Sequence, residues 1–138
     1  DAAKAEAEEE SERRDEAELK ALKEAWGQTG SRLIQGGAKA IKELEREQKA
    51  RSTRMVRDYL DGALLDIVTL FRDVLLVQSG SSDSIINSDL TKEIEKVAQS
   101  TSPSATLGKI EAIMKARTNL AHNAAPLLTV EAMMVQLK

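Results

Sequence analysis

One stretch constrains this chain more than any other. Between residues 41 and 77, Val56, Leu60, Ala63, Ile67, Leu70, Val74 and Val77 recur in steps of 4, 3, 4, 3, 4 and 3. That is the spacing with which a helix lays one stripe against other helices. Leu64, Val68, Phe71 and Leu75 widen the stripe into the broad face that a bundle helix needs. No proline lies between Ala38 and Ser79, and Gly62 is the single glycine there. A continuous helix on the order of 60 Å long is predicted, with a weak point at residues 51–53, where polar and β-branched side chains reduce packing. Val56, Leu60, Ile67, Leu70, Val74 and Val77 are too regular to be surface and are assigned to the core.

The remaining segments read as shorter helices, so the predicted class is all-α, a helical bundle built on one long helix. Only Trp26, Tyr59 and Phe71 are aromatic, which leaves an aliphatic core and little for stacking on nucleic-acid bases. There is no cysteine; disulfides, thiolate metal sites and cysteine nucleophiles are excluded, and a cytosolic setting is permitted. The acidic N-terminus is unlike a signal peptide. The most apolar run, 64–77, contains Asp66, Arg72 and Asp73 and does not read as a membrane span. The chain starts at Asp1 rather than Met, and the expectation is that it is cut from something longer.

Residues 1–25 hold ten acids and five bases. Leu19, Leu22 and the adjoining Trp26 are the only large apolar residues in or next to this stretch, which predicts a solvated helix docking by its last turns, with the first turns frayed. Four of the seven glycines fall in 27–37. No Gly-Lys-Ser/Thr follows and no buried strand precedes them, so a connection between helices is a better reading than a phosphate loop. Residues 26–57 carry eight bases against three acids, and 58–138 ten acids against seven bases. Net charge thus alternates in blocks of −5, +5 and −3. Lys42, Arg46 and Lys49 share a face that invites a DNA-backbone reading; the plainer reading is a solvated face complementary to the acidic first helix.

The long helix is expected to end at Gly80 in a left-handed cap. Ile85 and Ile86 are expected to tuck inward, and Asn87, Ser88 or Asp89 to cap a helix carrying Leu90, Ile94, Val97 and Ala98. Ser102 followed by Pro103 opens the next helix, which carries Leu107, Ile110, Ile113, Met114 and Leu120 and ends near His122. Pro126 opens the last, with Leu127, Val130, Met133, Met134 and Leu137 facing in. Catalytic chemistry is poorly supplied. His122 is the only histidine, placed to satisfy end carbonyls. Asp58 and Asp61 share a side of the helix but lack a third partner group. Arg72 and Asp73 point about 100° apart and are expected to find different partners.

The run Lys42-Glu43-Leu44-Glu45-Arg46-Glu47-Gln48-Lys49, continuing from Arg51 to Phe71-Arg72-Asp73-Val74-Leu75, resembles the C-terminal domain of the delta-prime subunit of the bacterial DNA polymerase III clamp loader, in its actinobacterial form. Ile86-Asn87-Ser88-Asp89 is similar to that family's Leu-Asn-Pro-Asp turn. Leu120 through Asn123-Ala124-Ala125-Pro126 to Val130-Glu131-Ala132-Met133 is similar to its ending. Ser88 and Ala125 depart from the pattern, both at turn positions. The resemblance implies a helical collar domain, one of five that form a ring holding together the pentamer that opens the sliding clamp and places it on primer–template DNA in the cytoplasm. It implies no catalytic residue, cofactor or metal in this stretch. No Walker A sequence occurs, so the ATPase module of such subunits lies outside these residues. Implied partners are the delta and gamma/tau subunits, with clamp and DNA reached indirectly and no membrane involved. A gamma/tau collar is the near alternative. An unrelated helical module binding nucleic acid through the basic half of the long helix, and a coiled-coil dimer, are the distant ones.

Two domains are expected: 1–37, a charged helix and glycine-rich connection, and 38–138, the collar-like bundle. With the apolar stripe assigned to the core, the interface falls to Asp58, Asp61, Arg72 and Gln78 on the long helix and Lys115, Arg117 and Asn119 on the penultimate one, where rim charges set partner choice.

Overall fold

A computed structural model describes residues 2–26, 36–81 and 84–138, with side chains from residue 5. Among the described residues there are five α-helices and no strand: α1 (Ala2–Ala25), α2 (Gly37–Gln78), α3 (Thr91–Ser100), α4 (Pro103–Ala121) and α5 (Pro126–Gln136). A single 3-10 turn, Ser88–Leu90, leads into α3. Most of the glycine-rich connection, 27–35, lies outside the described residues. The chain forms two compact units, Asp1–Val56 and Arg57–Lys138.

In the first unit, α1 is helical from Ala2 onward, including the turns expected to fray. Its sparse apolar face is supplemented by charge. Arg51 donates to Asp15 Oδ1 and, at 2.7 Å, to Glu18 Oε2, while Gln48 Nε2 donates to the Asp15 carbonyl at 2.8 Å. These bonds, and Thr53 Oγ1 back-bonding to the Lys49 carbonyl at 2.9 Å, fall where a break was expected. α2 passes through 51–53 without interruption.

In the second unit the core consists of Leu64, Ile113, Ala116, Leu120 and Met133, with Leu60, Ile67, Val68, Phe71 and Leu137 packed around it. The α2 side of this core is offset from the predicted stripe. Leu64 is buried, whereas Ala63 is exposed and Val56 is 38 % exposed. The buried line runs through Leu60, Leu64, Ile67, Phe71 and Val74, the same period read on the neighbouring flank: Leu64 and Phe71, in place of Ala63 and Leu70, face Ile113, Ala116 and Leu120 of α4 and Met133 of α5.

Helix ends follow local chemistry. Gly80 takes φ 77°, and Ser81 N–H reaches the Leu76 carbonyl at 2.9 Å while Gly80 N–H reaches Val77 at 3.1 Å. This paired cap satisfies the terminal carbonyls of α2. Asn123 does the same for α4, with φ 65° and Ala124 N–H on the Asn119 carbonyl. Ser102 Oγ accepts from Ala105 N–H at 3.2 Å, with Pro103 in the first turn of α4. His122 Nδ1 lies 2.8 Å from the Thr118 carbonyl.

Three expectations fail in this unit. Asn87 precedes the 3-10 turn without a side-chain cap, its amide held by Asp73, and α3 starts after Leu90, so Ser88 and Asp89 lie in the 3-10 turn and not at its cap position. Ile86 is exposed, since its N–H rather than its side chain turns inward. On α5, Leu127 and Met134 do not face in: Leu127 is 69 % and Met134 54 % exposed, together with Leu128 and Val135. α5 packs on α4 through Thr129, Val130, Met133 and Leu137, and its opposite side is left bare.

Candidate interface

The sequence-predicted interface residues fall into three settings. Asp61 and Arg117 meet. Arg117 Nε donates to Asp61 Oδ1 at 2.7 Å and Nη2 donates to Oδ2 at 2.8 Å, the two-pronged geometry that makes arginine–carboxylate pairs directional. The bond from Arg117 holds the Asp61 carboxyl below its ordinary range, and Asp61 in turn raises the guanidinium. The pair ties α2 to α4.

Arg72 and Gln78 are also engaged within the unit. Arg72 Nη1 donates to Asp73 Oδ1 at 3.0 Å and to the Ser84 carbonyl at 3.3 Å, so the two neighbours do share a partnership. The arginine stem is long enough to bend back over the turn that separates them. Gln78 Nε2 donates to the Thr101 carbonyl at 2.8 Å and the Ala98 carbonyl at 3.3 Å, fastening the end of α3 to α2. Gln78 Oε1 is buried without a hydrogen-bond partner. Asp58, Lys115 and Asn119 lie exposed on their helices.

Asp73 is the most deeply buried charge among the described residues, fully enclosed. Burial alone pushes its carboxyl up. Asn87 through its N–H (2.8 Å) and its amide (2.7 Å), the Ile86 N–H (3.1 Å) and the Arg72 charge outweigh that and leave it below the usual range. A buried carboxylate is tolerated only when satisfied in this way. Sequence reasoning identified that Asp73 needs a partner and missed Asn87. The signal was an asparagine in a turn just beyond a helix that carries an acid, Asp73, between Phe71 and Val74 in its apolar stretch.

In the first unit Arg51 is committed to the acids of α1; its hydrogen bond is the main cause that draws the Glu18 carboxyl down to about 2. Lys39, Lys42, Arg46 and Lys49 remain exposed, with Glu43 3.9 Å from Arg46. Among the described residues no cluster of three or more His, Cys, Asp or Glu side chains is placed to hold a metal. No described helix is long and apolar enough to cross a membrane.

Two apolar grooves flank α2. One of about 310 Å³ lies against α3, lined by Leu70, Val74, Ile94 and Val97 among others. A second of about 600 Å³ lies against α4, lined by Val68, Leu75, Leu76, Pro103 and Ile110, with Arg72 and Gln78 at its edge. Two of the predicted interface residues therefore border one groove.

A unit whose charged groups fasten its own helices, and whose outer faces keep apolar side chains, belongs to the class of helical packing domains. Residues 58–137 match the family described as DNA polymerase III, delta subunit, C terminal. The chain belongs to that family and carries a clamp-loader domain of the replication machinery. Neither the curated proteins nor the solved structures give a significant match.

Proposed function

We propose that residues 38–138 form the collar domain of a clamp-loader subunit of the delta-prime type, preceded by the charged helix and connection of 1–37. The domain is non-catalytic and binds no nucleotide or metal. It packs against the delta and gamma/tau subunits in the cytoplasmic pentamer that places the sliding clamp on primer–template DNA. The delta-prime assignment rests on the order and spacing of the segments beginning at Lys42, Ile86 and Leu120.

The observation that carries the reading is the bare side of α5. Leu127, Leu128, Met134 and Val135 stand exposed around a single charge, Glu131. A helix apolar on nearly all sides is one that becomes covered. A ring of related domains needs two different faces on each member, and this unit offers the α5 side and the groove beside α4.

Reconstitution tests the assignment. The chain is added to clamp-loader mixtures lacking either delta-prime or gamma/tau. Completion of the mixture lacking delta-prime supports the reading. Completion only of the other favours a gamma/tau collar, and completion of neither removes the assembly function.

A further inference from the structure

The first unit is fastened unlike the second. Among the described residues it encloses no apolar side chain, whereas the second encloses Leu64, Ile113, Leu120 and Met133. Its two helices carry matched sides. On α2, Ile41, Leu44, Gln48, Arg51 and Met55 follow in steps of 3, 4, 3 and 4 and are half-buried. On α1, Asp15, Glu18, Leu22 and Trp26 follow in steps of 3, 4 and 4 and are half-buried too. Such steps keep residues on one side of a helix. At the connected end, where the Trp26 ring lies against Gly36, both sides are apolar: Leu22 and Trp26 on α1, Ile41 and Leu44 on α2.

Further along, the seam turns polar. Arg51 donates to Asp15 and Glu18, and Gln48 to the Asp15 carbonyl. Polar groups at seam positions fix register at a cost in stability. This layer is open to water, with the Arg51, Asp15 and Glu18 side chains 31 %, 25 % and 33 % exposed. It is also incomplete, because Arg51 Nε is buried without a hydrogen-bond partner. Beyond the layer, residues 5–14 of α1 are exposed except for Ser11.

We propose that α1 is a detachable strap on α2, latched by the Arg51–Asp15–Glu18 layer. When that layer is screened or loses its guanidinium, α1 leaves α2 while the second unit stays folded, and the α2 side carrying Ile41, Leu44 and Met55 is uncovered. Release returns three charged groups and the stranded Arg51 Nε to water, and no enclosed apolar side chain in the unit opposes it. Exposed ion pairs are weakened by salt, and segments with few buried contacts open at low cost. The strap lies outside residues 58–137, which the family match covers, and its behaviour is independent of which clamp-loader subunit the chain represents.

Amide hydrogen exchange of the full chain, read by mass spectrometry, tests the latch. In the wild type, raising NaCl from about 0.05 to about 1 M is expected to speed exchange in residues 5–20 about fivefold and to leave 58–137 unchanged. Arg51→Ala is expected to exchange at the fast rate at both salt concentrations. Asp15→Leu, Glu18→Leu and Arg51→Leu combined put apolar side chains in the layer and are expected to hold α1 down at both. Exchange in residues 5–20 that ignores either salt or Arg51→Ala overturns the latch, as does salt-driven opening of the triple variant. Acceleration of 58–137 in step with 5–20 overturns it too, since the whole chain then unfolds. Protection of 5–20 that rises with chain concentration places α1 on a second copy and overturns the intramolecular strap.

Discussion

Arg117 grips Asp61 through two parallel hydrogen bonds across 56 residues of sequence. The contact joins the C-terminal part of α4 to the long helix. Both side chains are partly exposed, 23 % and 43 %, so water screens the charge and the value of the pair lies as much in geometry as in energy.

Replacing Arg117 by Ala is expected to lower unfolding stability by about 1 kcal/mol, near the upper end for partly exposed pairs. Arg117→Lys recovers less than half, because an ammonium cannot form the fork. A double-mutant cycle with Asp61→Asn, read by urea denaturation, should return a coupling energy of similar size. A coupling indistinguishable from zero would show that the pair contributes no stability.

Asp73 is expected to matter more. Asp73→Ala leaves the Ile86 and Asn87 N–H groups and the Asn87 amide without their acceptor in a buried site. The cost should be about 3 kcal/mol, in the range for a broken buried charge network. Asn87→Ala removes one donor and should cost about 1 kcal/mol. Urea midpoints for the two variants check the order; a larger loss for Asn87→Ala would reverse the assignment of Asp73 as the hub.

Acid sensitivity follows from Glu18, Asp61 and Asp73, whose carboxyls all sit below their ordinary values in the folded chain. The unfolded chain takes up protons first as pH falls, so their stabilisation is complete above about pH 4.5, the unfolded range of such groups. It is lost on the way down toward about 2, the folded value for Glu18. Thermal melts should be flat from pH 7 to 5 and fall steeply below 4, with the fall reduced in Asp73→Asn. A fall centred above pH 5 would assign the sensitivity to other groups.

Much of this architecture was legible because it is local. Ser102 with Pro103 starts a helix, Gly80 ends one, and His122 sits where end carbonyls need a donor; each depends on residues within one turn. The all-helical class followed from periods of three and four sustained without proline. Two things were not legible. Which flank of the α2 stripe is buried depends on where α4 and α5 pack, and they meet Leu64 and Phe71 while Ala63, one residue away, stays exposed. The second is pairing over distance. Asp61 with Arg117, and Asp73 with the 86–87 turn, were each half visible as charges in need of partners. The partners are chosen by the packing of separate helices and a loop. The predicted interface residues Asp61 and Arg117 thus proved to hold each other, and Gln78 to hold α3.

The central claim is that this clamp-loader domain acts by packing against neighbouring subunits. It is tested most directly by sedimentation velocity of the chain mixed with delta and gamma/tau subunits, without nucleotide. A single faster-sedimenting complex that incorporates the chain stoichiometrically is expected. A chain that sediments as it does alone, at concentrations where the remaining subunits associate with one another, would contradict it.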